Sequence, residues 1–227
     1  MELPLDILEY IFSFLVSDRK TLIACSKDPV LSPIVEKHRY YHIIVRRTTD
    51  DSNNAFEPNH LSQFVSKNPH IVHYVRILQI DLLPAMDESF ATTLLKFPVI
   101  ECIKLSARKT EDWYLLGPCR AALEDRLNLP TVKEVHISGT DIPLSLLNSS
   151  KNIKNLSLSG YTIHGQLSAS TLPQLHSLKS TLSRWKDLSH ILGVCSGTLN
   201  KLDFELGYLQ CMLSDFGSVP PLLTGTM

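Results

Sequence analysis

Long apolar runs are missing from this 227-residue chain. Charge or proline breaks each of them well short of the ~20 residues that a bilayer-spanning helix needs, so no membrane segment is expected. Neither sign of charge is in excess, since 22 Lys and Arg face 23 Asp and Glu. Without a basic field, a phosphate backbone or an anionic membrane has little to attract it, and neither nucleic acid nor membrane is expected as a partner. The five cysteines, Cys25, Cys102, Cys119, Cys195 and Cys211, are odd in number and widely spaced, with no CxxC pair. Met1 to Leu3 do not open a basic-then-apolar leader. Together these features predict a reduced, intracellular protein, cytoplasmic or nuclear. An HExxH, a GxSxG and a Gly-rich phosphate loop are also lacking. His70 and His73 stand three apart, but Pro69 precedes them and no Cys or acid is near in sequence. Cys25 falls on the apolar side of its helix with no identifiable His partner, as a packing cysteine does. No catalytic residue, metal ligand set or cofactor is expected, and the chain reads as non-enzymatic.

What is present falls into two parts. Behind Pro4, the residues Leu5, Leu8, Ile11, Phe12 and Leu15 recur at three- and four-residue spacing, which predicts an amphipathic helix. Ser17 or Asp18 can cap a second helix carrying Leu22, Ile23 and Cys25. Pro29 and Pro33 then bracket a turn before a third helical stretch, about Ile34 to Tyr41. Turn formers and acids from Thr48 to Asn54 mark a boundary. The expected organisation is a helical domain over residues 1–47, a linker over 48–58 and a second domain over 59–227.

The second part carries a repeat, apolar-x-x-apolar-x-apolar. It occurs as Val75-Leu78-Ile80, Ile100-Ile103-Leu105, Val132-Val135-Ile137, Ile153-Leu156-Leu158, Leu175-Leu178-Ser180 and Leu199-Leu202-Phe204. Two copies agree beyond hydrophobicity, VKEVHISGTDI from Val132 and IKNLSLSGYTI from Ile153. Helix-like segments lie between, at Asn59 to Lys67, Glu88 to Phe97, Glu111 to Leu129 and Trp185 to Val194, several stopped by a proline. Most of the spacings fall within the roughly 20–29-residue period of leucine-rich repeats. A unit of one short strand and one helix cannot bury its apolar face alone, so the units must stack. The expected fold is an α/β solenoid with a short-stranded parallel sheet, α+β once the helical domain is included. A doubly wound α/β domain also alternates strand and helix, but its regular longer period and phosphate turn are not found. The usual Asn after each strand is replaced by Leu83, Arg108, Thr140, Tyr161, Ser183 and Gly207, so the repeats are irregular. No capping helix is evident after Phe204, and a solenoid needs its open end covered.

The opening L3-P4-L5-D6-I7-L8-E9-Y10-I11-F12-S13-F14-L15, followed by L22-I23-A24-C25-S26, resembles an F-box. The block R39-Y40-Y41-H42-I43-I44-V45 is similar to that family's closing segment, and Asn68 to Ile80 resembles the first leucine-rich repeat that fungal F-box proteins often carry. The resemblance implies a three-helix unit that docks on the Skp-type adaptor of an SCF ubiquitin ligase. It assigns adaptor binding to Leu3, Pro4, Ile7, Leu8, Ile11, Leu15, Leu22, Cys25 and Ser26. It further implies a substrate receptor that joins a cullin ligase complex and leaves the chemistry to other subunits. Lys27, Asp28 and Pro29 stand where the family has an apolar residue, a basic residue and an aromatic, which keeps open a stand-alone repeat scaffold with a degenerate F-box. Strand alternation predicts two rows of outward side chains on the concave face. One is Gln79, Lys104, His136, Ser157, Lys179 and Asp203; the other is Ile77, Cys102, Glu134, Asn155, Ser177 and Lys201. Gln79, Lys104, Glu134, His136 and Lys179 are the expected contacts to a protein client.

Overall fold

The computed structural model describes residues 4–15, 18–47, 54–83, 86–108, 113, 117–140, 142–148, 150–160, 163–165, 167, 172–182, 185–195 and 197–204. Three short helices come first: α1 (Leu5–Phe14), α2 (Arg19–Cys25) and α3 (Ser32–Arg39). The Pro4 carbonyl accepts the N–H groups of Ile7 and Leu8 at 3.1 and 3.2 Å, closing the first turn of α1. Asp18 caps α2, its carboxylate accepting from the Thr21 N–H at 3.2 Å and the Thr21 hydroxyl at 2.7 Å. Beyond α2, the Asp28 carboxylate accepts the Val30 N–H at 2.8 Å, which holds the turn around Pro29. Pro33 then sits in the first turn of α3, where its missing N–H costs nothing. This unit has a small core of its own: Phe12, Leu22, Ile34 and Val35 are buried, with Leu8, Leu15, Cys25 and Leu31 packed around them.

The rest is mixed α/β. Its strands are β1 (His42–Val45), β2 (Ala55–Phe56), β3 (Ile77–Asp81), β4 (Cys102–Ala107), β5 (Glu134–Gly139), β6 (Ile142–Pro143), β7 (Asn155–Gly160), β8 (Ile163–His164), β9 (Ser177–Leu182) and β10 (Lys201–Phe204). Eight of them form one parallel sheet in the order β2-β1-β3-β4-β5-β7-β9-β10, so from β1 onward the order follows the chain. The helices between are α4 (Pro58–Lys67), α5 (Glu88–Leu94), α6 (Gly117–Leu127) and α7 (Trp185–Cys195). α4 packs on α5, and α5 on α6. All six repeats place their last two apolar positions on strands. In β3 to β9 these face one core with Leu61, Val65, Phe90, Leu94, Leu123, Leu127 and Ile191 from the helices. Ser180 lies in that core row with its hydroxyl buried and without a hydrogen-bond partner among the described residues. At the far edge, Leu202 and Phe204 of β10 are exposed.

A shared hydrogen-bond device joins the strand starts. The carbonyls of Tyr41, Arg76, Glu101, Lys133, Lys154 and His176 each accept two successive N–H groups from the next strand's start, as when Lys133 takes those of Lys154 and Asn155 at 2.8 and 2.9 Å. Two differences from expectation lie at the first of these junctions. The third helix ends at Arg39 rather than Tyr41, and the Tyr41 carbonyl already accepts from Arg76 and Ile77. Residues 42–45, inside the segment expected to be helical, form β1 instead, with Ile43 and Val45 fully buried in the sheet's core. β-branched side chains alternating with half-buried ones suit that strand. The core of the sheet therefore begins at Tyr40, and 48–53 lie outside the described residues.

The Ser-Gly pairs that the two similar copies share, Ser138-Gly139 and Ser159-Gly160, are the last residues of β5 and β7. Gly139 has φ +138°, and a Cβ there would lie 2.3 Å from the Ala107 carbonyl oxygen on the neighbouring strand, so only glycine fits. The final isoleucines of the two similar copies, Ile142 and Ile163, pair in the small β6–β8 sheet. The helix expected from Glu88 to Phe97 ends at Leu94 and runs out in tight turns before Pro98. That expected from Glu111 to Leu129 is described from Gly117 to Leu127, and 111, 112 and 114–116 lie outside the described residues.

Candidate functional site

Two surfaces stand out. The first is on α1. Ile7, Tyr10, Ile11 and Phe14 follow i, i+3, i+4, i+7 spacing and share one face. They are 44%, 66%, 42% and 69% exposed. Tyr10 and Phe14 meet edge to face with ring centroids 4.8 Å apart. Leu8, Phe12 and Leu15 turn the other way, into the small core. α1 is thus apolar on two sides, and its own fold covers one of them. Leu5 beside it and Val30 in the turn after α2 are exposed as well.

The residues assigned to adaptor binding divide accordingly. Pro4, Ile7 and Ile11 are exposed. Leu22 is fully buried, and Leu8, Leu15 and Cys25 pack around the core it helps to form, so these four hold the helices together. The Ser26 hydroxyl donates to the Ile23 carbonyl at 2.8 Å, a helix-end bond. Leu3 lies outside the described residues. Tyr10, Phe14 and Val30 were missed. Spacing selects one stripe per helix, whereas α1 carries two, and the second was legible as the i, i+3, i+4, i+7 pattern from Ile7.

The second surface is the sheet face opposite the helices. The register aligns Gln79, Lys104, His136, Ser157, Lys179 and Asp203 on successive strands, and likewise Ile77, Cys102, Glu134, Asn155, Ser177 and Lys201. Most of these side chains are half-buried or exposed; Cys102 is buried. His136 Nε2 lies 2.6 Å from Glu134 Oε1 on the same strand. Cys102 stands beside Glu134 on the neighbouring strand, and one donor atom each from Cys102, Glu134 and His136 lie within 4.8 Å of one another. The Cys102 thiol is pushed up to about 11, first by burial and then by the Glu134 carboxylate, with Lys104 opposing.

Elsewhere, His70 Nε2 lies 3.2 Å from Glu36 and ties the turn after α4 to α3. A surface hollow of about 480 Å³ is lined by Asn59, Ser62, Gln63, Ser66, Lys67, Asp87 and Ser89. Its Asp87 carboxylate caps α5 by accepting the Phe90 N–H at 2.9 Å. Among the described residues, the four cysteines Cys25, Cys102, Cys119 and Cys195 are free thiols, and no helix is long and apolar enough to cross a membrane. No family model, curated protein or solved structure matches the chain.

Proposed function

We propose that the chain is a substrate-receptor subunit of an SCF-type ubiquitin ligase, docking on a Skp-type adaptor through an F-box in its three N-terminal helices and on a protein client through leucine-rich repeats. The observation that carries the reading is the uncovered apolar face of α1, which lies in the segment that resembles the F-box. A core of four buried side chains is too small to hold three helices firmly. Burying a side chain such as Phe14 or Ile7 against a partner contributes about 1.5–3 kcal/mol each. A partner helix laid on this face would therefore complete the unit and gain affinity from the same contacts.

The repeat reading rests on the chain-ordered strands, the doubly accepting carbonyl at each strand start and the successive packing of α4, α5 and α6. A doubly wound sheet reverses its strand order internally and covers both faces with helices. Here only the two-residue β2 departs from chain order. In the solenoid the two outward rows are its concave face, and Gln79, Lys104, Glu134, His136 and Lys179 offer mixed charge that sets partner choice more than affinity.

The test is co-purification of the full chain with a Skp-type adaptor. Wild type is expected to form a stable complex, and Ile7→Asp and Phe14→Asp each to abolish it while the circular dichroism stays unchanged, since both side chains are exposed. A stand-alone repeat scaffold is the second reading. It is favoured by α2 stopping at Cys25, ahead of the Lys27-Asp28-Pro29 departure. Absence of a wild-type complex, or binding of both variants at wild-type strength, would decide for it.

A further inference from the structure

We propose that Cys102, Glu134 and His136 form a divalent metal site of the zinc class on the open face of the sheet. The three side chains supply sulfur, carboxylate oxygen and imidazole nitrogen, the donor set that zinc accepts, with donor atoms already within 4.8 Å of one another. They are held by strands in fixed register, Cys102 directly opposite Glu134, with His136 two residues further along β5. A site built on strands keeps its geometry better than one on loops. Cys102 is only 6% exposed, and no hydrogen bond engages its sulfur among the described residues. Glu134 and His136 are half-exposed, so ions enter from solvent and the fourth position faces outward.

Binding exchanges protons for metal. The Cys102 sulfur gives up its proton to form the metal–thiolate bond, and His136 binds as the neutral tautomer that carries its hydrogen on Nδ1, leaving Nε2 and the Glu134 carboxylate to turn to the ion. No electron changes hands. Because the thiol proton must leave on binding, affinity rises with pH; burial and the Glu134 carboxylate keep the empty site's thiol protonated, and the Lys104 ammonium opposes them. Zinc relieves the repulsion between thiolate and carboxylate that burial makes costly. This inference stands apart from the ligase reading and survives if that reading fails.

The test uses the purified full chain, stripped of metal and titrated with cobalt(II). One equivalent is expected to produce a thiolate-to-cobalt charge-transfer band, which zinc then displaces because it binds such donor sets more tightly. Cys102→Ser should lose the band, and His136→Ala and Glu134→Gln should weaken binding about tenfold or more. Cys25→Ser and Cys211→Ser should keep it. No band at one equivalent, or a band that persists in Cys102→Ser, overturns the proposal. So does unchanged cobalt affinity in His136→Ala, whose half-exposed side chain can be removed without disturbing the core.

Discussion

The three-helix unit and the sheet region solve the same problem differently. In the sheet region each strand is paired, α4, α5 and α6 pack in succession, and one buried cluster extends from Tyr40 to Cys195 with Ser180 as a polar gap. Its exposed large apolar side chains, Leu95, Leu202 and Phe204, fall at the end of α5 and on the edge strand β10. In the helical unit four residues are buried, while five large apolar side chains of α1 face solvent. A repeat stack gains burial by adding another copy of itself. A short helical unit with an uncovered apolar face can gain that burial from another molecule.

This contrast predicts unequal responses to core truncation. Phe90→Ala, at a fully buried position between α5 and the sheet, should cost about 3–5 kcal/mol and lower the denaturation midpoint of the whole sheet region. Leu22→Ala should cost about 2–5 kcal/mol, but locally. Amide exchange should rise across α1 to α3 while β3 to β7 keep their protection. If Leu22→Ala deprotects the sheet as strongly as Phe90→Ala does, the two regions are one cooperative unit and the contrast fails.

The smallest expected effect is a gain. Ser180 interrupts the core row formed by Ile80, Leu105, Ile137 and Leu158, and its hydroxyl has no partner among the described residues. Ser180→Ala should stabilise the sheet region by about 1 kcal/mol in chemical denaturation, because an unsatisfied buried hydroxyl is removed with little change in volume. A loss of stability would mean that the hydroxyl is hydrogen-bonded after all.

The strands were the most legible part of the fold. Six copies of one apolar pattern placed β3, β4, β5, β7, β9 and β10, and strand alternation placed both outward rows, because register in a stacked sheet follows from the pattern itself. β1 was not legible. Its Ile43 and Val45 sit in a block that resembles the F-box's closing segment, and it is their pairing with Leu78 and Ile80 and the two N–H groups received by Tyr41 that place the segment in the sheet. The pairing of Ile142 with Ile163 was hidden in the same way, although the two copies shared that isoleucine. At the sites, the rows put Cys102 beside Glu134, but the approach of thiol, carboxylate and imidazole depends on rotamers that periodicity does not set. On α1 the limitation was geometric: ten residues carry two apolar faces, and the single stripe read from spacing took Leu8, Phe12 and Leu15 from the buried one and Leu5 and Ile11 from the exposed one.

The claim at the centre of this account is that α1 leaves an apolar face for a partner to cover, while β3 to β7 are paired and buried within their own sheet. Amide hydrogen exchange on the full chain, with and without a Skp-type adaptor, tests it most directly. The account predicts that adaptor slows exchange throughout α1 to α3 and leaves β3 to β7 unchanged. Unaltered exchange in α1 at saturating adaptor, or protection confined to the sheet, would contradict it.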